Sequence, residues 1–411
     1  MNKRLLLFYS GVVVFLLGCG PKPRTFGYDL DFLRKHDTGL IVLRSGDEEV
    51  VVSPKYQGKV FTSTVSGDDG PSFGWIHYKA FEGPLDAHMN AYGGENRLWL
   101  GPEGGRFSLF FPKDAKMEFA NWKTPSAFDT EPWEVMSRSD SLVVLRKDMQ
   151  LVNYAGTRLS LSIDRWIGIM DRVEVDRALG LSNNSGTAVV GYRTENLMTN
   201  MGSQVWTDTT GMPCVWMLDM FNPSPSTTIV IPYSSAAGDT SKPTTTDYFG
   251  EIQPDRIKYS DGVLYFKADG KSRGKLGIHP GRAKPVAGSY DAASRVLTII
   301  SFDVDPQARY LNQEWNTTKP PFSGDAVNAY NDGPLADGSQ MGPFYELESV
   351  SPAAFLGTQE TLFHHRVYAG TGETLAHQHA VYHFTGSEEG LNKISQKVLG
   401  ASINQIKGAF H

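Results

Sequence analysis

Residues 259–266 read Tyr259-Ser260-Asp261-Gly262-Val263-Leu264-Tyr265-Phe266, a polar turn that leads directly into an apolar and aromatic run. Asp and Gly favour tight turns, and β-branched and aromatic residues favour strands, so this stretch predicts a turn at the entrance to a β-strand. Comparable runs recur along the chain between clusters of Gly, Pro, Asn and Asp: Leu40–Arg44, Glu49–Ser53, Lys59–Val65, Ser141–Leu145, Leu159–Ile163, Ala188–Tyr192, Thr227–Pro232, Gly262–Lys267, Val296–Phe302, Arg366–Ala369 and Ala380–Phe384. Short runs with turn residues at such spacing predict an all-β sandwich or barrel.

Helical patterns are few in this chain. Asp29–Lys35 predicts one short helix, and apolar residues recur at nearly helical spacing in Glu388–Ile406. We therefore predict four regions: a signal peptide at 1–18, an anchor and tether at 19–28, one large β sandwich at 29–387, and a helical tail at 388–411.

The N-terminal segment has the pattern of an export signal. The basic residues Lys3 and Arg4 precede an apolar run from Leu5 to Leu17. This run is shorter than the roughly 20 residues that a helix needs to cross a bilayer, so it predicts a cleavable signal rather than a membrane span. Its end, Leu16-Leu17-Gly18-Cys19, resembles the lipobox of bacterial lipoproteins, which implies that Cys19 is lipidated. The alternative is an ordinary secretory signal in which Cys19 is incidental.

Lipidation of Cys19 implies a location as well as an anchor. Lipid chains hold a protein to a membrane by burying their hydrocarbon, so we expect a membrane-anchored lipoprotein of the bacterial cell envelope. No acidic run follows Cys19, and the choice between the periplasm and the outer surface therefore stays open.

Charge and cysteine content exclude some classes of function. The net charge is −6 and no basic stretch stands out, so the chain lacks the electrostatic footprint of a nucleic-acid-binding protein. Only two cysteines occur, and Cys19 is assigned to lipid. Cys214 then has no intrachain partner, and its apolar neighbours predict a small buried side chain. The oligomeric state is not specified by these features.

Three segments carry a family resemblance. His88–Arg106 has a Gly-rich entry and an Asn-Arg pair, Asn183–Gly202 contains Glu-Asn-Leu-Met-Thr-Asn, and Tyr345–Pro352 reads Tyr-Glu-Leu-Glu-Ser-Val-Ser-Pro. Together with Gly370–Thr374 they resemble, in the right order, the galactose mutarotase-like superfamily of aldose 1-epimerases and relatives. They also resemble a poorly characterised branch of exported lipoproteins within it. The resemblance implies one large antiparallel β supersandwich with few short helices.

The second segment departs from the family pattern. Active epimerases of the family place a His, which acts as the general acid, directly after the second Asn of this motif. Here the sequence reads Asn200-Met201-Gly202. Methionine cannot transfer a proton, so mutarotation cannot simply be carried over with the resemblance.

Anomer exchange needs a base for the anomeric hydroxyl and an acid for the ring oxygen. The resemblance implies that Glu348 is the catalytic base. Glu346 lies two residues away, so on a strand the two carboxylates share one face, where one pKa rises or a cation binds between them. The alternative is two solvent-facing acids on a strand.

Substrate-binding candidates lie in the first two segments. Arg97 has planar donors suited to sugar hydroxyls or carboxylates, and Trp99 has an apolar face on which a pyranose ring can stack. Glu103 and Asn200 complete the set with Glu346. The alternative for Arg97 is a structural loop in which it pairs with Glu95 or Glu103.

Histidines are the candidates for the missing acid. We expect this role at His88 or His365. His377 and His379 form a His-x-His pattern that binds zinc when a third ligand joins it, but histidines on a polar strand face without metal are commoner. We therefore predict no cofactor, with a metal at His377 and His379 or at the carboxylates as the alternative.

The sequence thus predicts a carbohydrate-recognising envelope lipoprotein whose partners are a sugar and, through its lipid, a membrane. One hypothesis is an aldose 1-epimerase-like isomerase acting on a sugar or uronic acid. The alternative is a sugar-binding lipoprotein without catalysis, and a third hypothesis is a structural role in the envelope. The enzyme hypothesis requires Glu348, Arg97 and a histidine on one concave surface.

Overall fold

The computed structural model of the chain describes residues 25–182, 186–235, 241–357 and 374–410. Some of the predictions concern residues outside these ranges. They are the signal peptide, the lipidation site Cys19, the general-acid candidate His365, the strand predicted at Arg366–Ala369, and all of Gly370–Thr374 except its last residue.

The turn at residues 261–262 leads into a strand, as predicted, and it also joins that strand to the one before it. Ile257–Ser260 and Val263–Lys267 are antiparallel, and Ser260 lies opposite Val263. Asp261 and Gly262 both have positive φ, 52° and 75°. A two-residue hairpin turn with positive φ at both positions follows the twist of the strands, and Asp-Gly is a preferred pair for it. The local sequence therefore specifies this connection.

Within the described residues, nineteen β-strands form three sheets in which every pair is antiparallel. The strands are β1 Ile41–Ser45, β2 Glu48–Ser53, β3 Lys59–Thr64, β4 Arg97–Gly101, β5 Glu134–Arg138, β6 Leu142–Val152, β7 Arg158–Met170, β8 Thr187–Asn200, β9 Cys214–Phe221, β10 Thr227–Pro232, β11 Thr244–Thr245, β12 Ile257–Ser260, β13 Val263–Lys267, β14 Gly274–Ile278, β15 Val286–Asp291, β16 Val296–Phe302, β17 Val327–Asn331, β18 Tyr345–Val350 and β19 Thr374–Gly386. The predicted all-β, antiparallel fold class is confirmed.

The two larger sheets pack face to face. One has ten strands in the order β12-β13-β10-β15-β16-β19-β8-β7-β6-β5, and the other has six in the order β11-β14-β17-β18-β9-β4. Met217 and Leu347 of the six-stranded sheet join one apolar cluster with Ile163, Met198 and Val381 of the ten-stranded sheet. The smaller sheet, β1-β2-β3, lies at the N-terminal end of the chain.

A buried polar network crosses the interface between the two large sheets. His379 Nε2 lies 2.7 Å from Asp219 Oδ2, and its Nδ1 lies 2.8 Å from the Ser349 hydroxyl. The same hydroxyl lies 2.9 Å from His377 Nε2. These side chains are at most 1% exposed, so this Ser-His-Asp arrangement has no access to a substrate and joins the sheets instead. Within the described residues, no three His, Cys, Asp or Glu side chains form a group that could hold a metal ion.

Four α-helices occur in the described residues: α1 Phe26–His36, α2 Arg172–Ala178, α3 Glu388–Leu399 and α4 Ile403–Gly408. The predicted C-terminal helical segment is two helices, because Gly400 ends α3 with φ 71° and Ser402 caps α4. Both helices cover the outer face of the ten-stranded sheet. Short 3₁₀ turns occupy Tyr78–Phe81, Phe119–Asn121 and Ser126–Phe128. No helix in the described ranges is long and apolar enough for a membrane span.

Candidate functional site

A cavity of about 160 Å³ lies on the face of the six-stranded sheet that is turned away from the ten-stranded sheet. We call it the tryptophan pocket, because its walls include Trp99, Trp122, Trp216 and Trp315. Five charged side chains also line it: Arg97, Glu103, Arg273, Lys275 and Glu346. An apolar pocket with a few convergent polar groups is the usual form of a small-molecule site.

Strand register brings the charged groups together. Leu218 on β9 lies between Arg97 on β4 and Glu348 on β18 in one row across the sheet. Glu346 is two residues from Glu348 and lies opposite Tyr330, which is itself opposite Lys275. Since side chains alternate across a strand, all of these residues face the pocket side. Leu347 and Ser349 then point to the sheet interface, where Ser349 meets the histidines.

Arg97 and Glu346 form an ion pair in the pocket wall. Arg97 Nη2 lies 2.5 Å from Glu346 Oε1, and the two side chains are 6% and 9% exposed. The alternative partners considered for Arg97 are not used: Glu95 lies 2.9 Å from His383 instead, and no Arg97–Glu103 ion pair forms. Burial raises the pKa of Glu346 to about 7; nearby Glu348 acts in the same direction, and Arg97 opposes it.

Glu348 lies beneath the pocket floor and is fully buried. Its Oε2 accepts hydrogen bonds from Trp216 Nε1 at 2.8 Å and from Lys275 Nζ at 2.9 Å. Within the described residues its other oxygen, Oε1, has no hydrogen-bond partner. Burial alone would lower the pKa of Lys275, but Glu348, together with Glu103 and Glu346, raises it. Glu348 therefore holds a charged lysine and a tryptophan at the floor, and Glu346 is the carboxyl group of β18 that reaches the cavity.

Glu103 supplies a carboxyl group from a different element. It follows β4 on the Gly-rich loop, where its backbone N–H donates to Gln313 Oε1 at 3.1 Å. The side chain is half-buried and lines the cavity. Burial raises its pKa, and Lys275 opposes that rise. The pocket thus has carboxyl groups from a strand and from a loop.

Aromatic rings form a stacked column on one side of the pocket. Trp122 and Trp315 are 6.0 Å apart with an angle of 24° between their planes, and Phe119 stacks on Trp122 at 19°. Trp99 meets Trp216 edge-on at 5.7 Å. Flat faces of this kind are surfaces on which a sugar ring can stack.

His88, the acid candidate within the described residues, does not line the pocket. The ring of His88 stacks on Phe119 at 4.6 Å, and its Nδ1 lies 2.6 Å from the carbonyl oxygen of Trp122. His88 is therefore next to the pocket wall, behind Phe119. Among the lining residues in the described part of the chain, none is a histidine.

Asn200 lies in the other sheet. It is fully buried at the end of β8 and donates to the carbonyl oxygens of Gln204 and Leu356. Met201 beside it is 41% exposed. The strand that crosses the pocket floor between Arg97 and Glu348 is β9, which presents Trp216, Leu218 and Met220 to the cavity.

Sequence reasoning missed several pocket residues. Trp122, Trp315, Arg273 and Lys275 were not among its candidates. One signal was present: Lys275 stands between Gly274 and Leu276 in an apolar run. A lysine inside a buried strand needs a buried partner, so it marks a functional or ion-paired position.

The solved structures that are similar to this chain include the following three. A protein of Escherichia coli K12 named as a candidate aldose 1-epimerase is 13% identical, with a TM-score of 0.47, covering 84% of this chain and 98% of that one. The Slr1438 protein of Synechocystis sp. PCC 6803 is also 13% identical with a TM-score of 0.47, covering 85% and 96%. A galactose mutarotase-like protein of Lactobacillus casei ATCC 334 is 10% identical with a TM-score of 0.44, covering 84% and 99%.

Sequence comparison assigns the family. No curated protein is significantly similar to this chain. A family model described as a family of unknown function matches residues 24–410, which is nearly all of the chain beyond the predicted anchor. The chain belongs to this family, DUF6786.

Proposed function

We propose that this chain is a carbohydrate-recognising protein and that the tryptophan pocket binds one sugar or uronic-acid ring. The observation that carries the proposal is the combination, in one small cavity, of four tryptophans and five charged side chains. Pyranoses have apolar faces and a rim of hydroxyl groups, so they are bound by aromatic stacking together with hydrogen bonds from charged groups. A volume of about 160 Å³ suits one ring better than a long chain.

Each group in the pocket has a role in this proposal. Trp315, which is half-buried and stacks on the buried Trp122, supplies the stacking face. Arg97 and Glu346 hold each other in position, so their remaining donors and acceptors are directed at sugar hydroxyls with little loss of side-chain entropy. Lys275, fixed from below by Glu348, adds a donor at the floor.

The second candidate function is an aldose 1-epimerase-like isomerase, which the pKa of Glu346 favours. A carboxyl group with a pKa of about 7 exchanges a proton readily at neutral pH. Ring opening removes the proton of the anomeric hydroxyl, whose oxygen forms the C1=O double bond of the open aldehyde. The bond between C1 and the ring oxygen breaks at the same time, and the ring oxygen takes up a proton. We assign one of these transfers to Glu346. Glu103 is the candidate for the other, and Glu348 acts as a positioning residue.

We also propose that the protein is a lipoprotein of the bacterial cell envelope, anchored through Cys19. The lipobox-like sequence that ends at Cys19 supports this proposal. A short tether would then connect the membrane to the folded domain, with the sugar pocket in the periplasm or at the outer surface.

NMR with freshly dissolved α-anomers of common hexoses and uronic acids tests binding and exchange in one series of spectra. Binding broadens the sugar resonances, and epimerase activity speeds the appearance of the β-anomer. We expect broadening that Arg97→Gln weakens. Accelerated exchange that Glu346→Gln abolishes would assign the isomerase as well. The absence of both effects across the panel would reject the sugar-binding proposal.

A further inference from the structure

Arg273 differs from the other cations of the tryptophan pocket in having no acidic partner. Arg97 is paired with Glu346, and Lys275 is paired with Glu348. Across the described ranges, no carboxylate oxygen lies within 4.0 Å of the Arg273 guanidinium, although this side chain lines the same cavity. The pocket therefore presents one positive charge that its own residues do not neutralise by contact.

The guanidinium of Arg273 is held flat against an aromatic ring. Its central carbon lies 3.7 Å from the centre of the Phe249 ring. Phe249 is in turn packed edge-on against Tyr330, at 5.9 Å and 77°. Stacking covers one face of the guanidinium, and the Tyr330 hydroxyl is a hydrogen-bond partner at its edge. The remaining N–H groups can form further hydrogen bonds in the plane of the guanidinium.

The backbone at Arg273 is also fixed. Asn331 at the end of β17 donates through Nδ2 to the carbonyl oxygen of Ser272 at 2.9 Å and accepts from the N–H of Gly270 through Oδ1 at 2.9 Å. Gly333 packs so closely against this segment that a Cβ added to it would lie 2.4 Å from the backbone nitrogen of Arg273. This support holds Arg273 at the pocket as part of a built wall.

We infer that the pocket selects a sugar that carries a carboxylate, a uronic acid, and that Arg273 binds this carboxylate. The inference rests on the proposed sugar-binding function and specifies its ligand. A carboxylate is planar with two acceptor oxygens, so it can form a bidentate pair with the N–H groups of the guanidinium that Tyr330 does not use. The opposite charge is supplied by the ligand, because no residue within the described ranges supplies it by contact.

The size of the pocket favours a carboxylate over other acidic groups. A uronic acid replaces the exocyclic CH₂OH of a hexose with COO⁻ and adds almost no volume. A sulfate or phosphate ester adds a bulky tetrahedral group to that carbon. In a cavity of about 160 Å³ the planar group needs less room beside a stacked ring than a tetrahedral one.

Calorimetric titration of the full chain with matched ligand pairs tests the inference. The pairs are galacturonate with galactose and glucuronate with glucose, and galacturonate methyl ester serves as the neutral form of the acid. We expect at least one uronate to bind tenfold or more tightly than its neutral hexose and its ester. The preference should shrink when the salt concentration is raised, because salt screens exposed charges.

Substitutions at Arg273 test whether this residue causes the preference for a uronate over its hexose. Arg273→Gln should remove most of the uronate-to-hexose affinity ratio, and Arg273→Lys should keep only part of it, because lysine lacks the planar fork. Lys271→Gln is the matched control: it removes an exposed positive charge from the same loop, two residues away and outside the lining, and should preserve the ratio. Thermal unfolding of each variant confirms that it is folded.

The outcomes separate this inference from the function on which it rests. Equal binding of uronate and hexose, or a preference that Arg273→Gln leaves intact, would overturn the inference and leave sugar binding in place. Tighter binding of hexose 6-phosphate or 6-sulfate than of any uronate would overturn the choice of carboxylate. Failure of every sugar to bind would reject the proposed function itself.

Discussion

Lys275 Nζ lies 2.9 Å from Glu348 Oε2 beneath the tryptophan pocket, and the two side chains are 8% and 0% exposed. Glu348 also accepts a hydrogen bond from Trp216. A buried ion pair of this kind contributes little net stability, but losing one partner leaves a charge without water or a counterion. The pair therefore fixes the geometry of the floor.

Replacing Lys275 with Met should destabilise the protein strongly. The change leaves the Glu348 carboxylate buried and without its cation, which typically costs about 3–5 kcal/mol of unfolding free energy. Urea unfolding followed by circular dichroism measures the loss. The double variant Lys275→Met with Glu348→Gln removes both charges, so it should recover at least half of that loss. Simple addition of the two single effects would contradict the ion-pair assignment.

Glu346 should make the stability depend on pH around neutrality. Its pKa is raised from 4.5 to about 7 in the folded protein. Between these values the folded state keeps a proton that the unfolded chain has released, so the free energy of unfolding falls as pH rises, by up to about 1.4 kcal/mol per pH unit. Glu346→Gln removes this contribution. Urea midpoints of both proteins at pH 5 and pH 8 measure it, and parallel changes in the two would exclude Glu346 as the cause.

His377 should make the free energy of unfolding change with pH in the opposite direction, at lower pH. Burial lowers its pKa from 6.5 to about 3, with the neighbouring His379 acting in the same direction. Between these values the unfolded chain binds a proton that the folded state excludes, so the free energy of unfolding falls as pH drops, again by up to about 1.4 kcal/mol per unit. His377→Gln, which keeps a polar group near Ser349, should flatten the slope from pH 6 to pH 4. Glu346 has the opposite effect across part of this range. The quantity to compare between pH 6 and pH 4 is therefore the difference in unfolding free energy between His377→Gln and the wild type.

Trp315 should contribute to sugar affinity through its ring face. It is half-buried, lines the pocket and lies nearly parallel to Trp122. Trp315→Leu removes the stacking surface, and we expect the dissociation constant of the best-bound sugar to rise about tenfold, or about 1.4 kcal/mol. Phe410→Leu, in the last residues of the described chain and outside the pocket, is the control and should leave the affinity unchanged. An unchanged affinity in Trp315→Leu would place the sugar elsewhere.

Cys19 should determine membrane attachment. Expressed with its full leader, the wild-type chain should partition into the membrane fraction and incorporate labelled fatty acid. Cys19→Ser should lose the label and appear in the soluble fraction, because no lipid chain then buries hydrocarbon in the bilayer. Cys214→Ser is the matched control and should keep the label. A labelled Cys19→Ser protein would contradict the assignment of the lipidation site.

The sequence predicted those features of the site that follow from the alternation of side chains along a single strand. Glu346 and Glu348 share a face, as the two-residue period of a strand requires. Their depths differ because of neighbours that are distant in sequence: Lys275 and Trp216 cover Glu348, and Arg97 holds Glu346 at the cavity. The motif around Asn200 suggested a pocket residue, but β8 pairs with β7 and β19 in the other sheet.

Nearby residues in the sequence specify local structure. Asp261-Gly262 specifies a hairpin turn, alternation and turn residues specify antiparallel strands, and the caps at Gly400 and Ser402 divide the C-terminal helices. Tertiary packing sets which strands become neighbours, because the order β14-β17-β18-β9-β4 depends on the collective burial of two large sheet faces. That order brings Arg97, Lys275 and Glu346 together across some 250 residues and leaves Arg273 without an acidic contact among the described residues. No local pattern encodes either result.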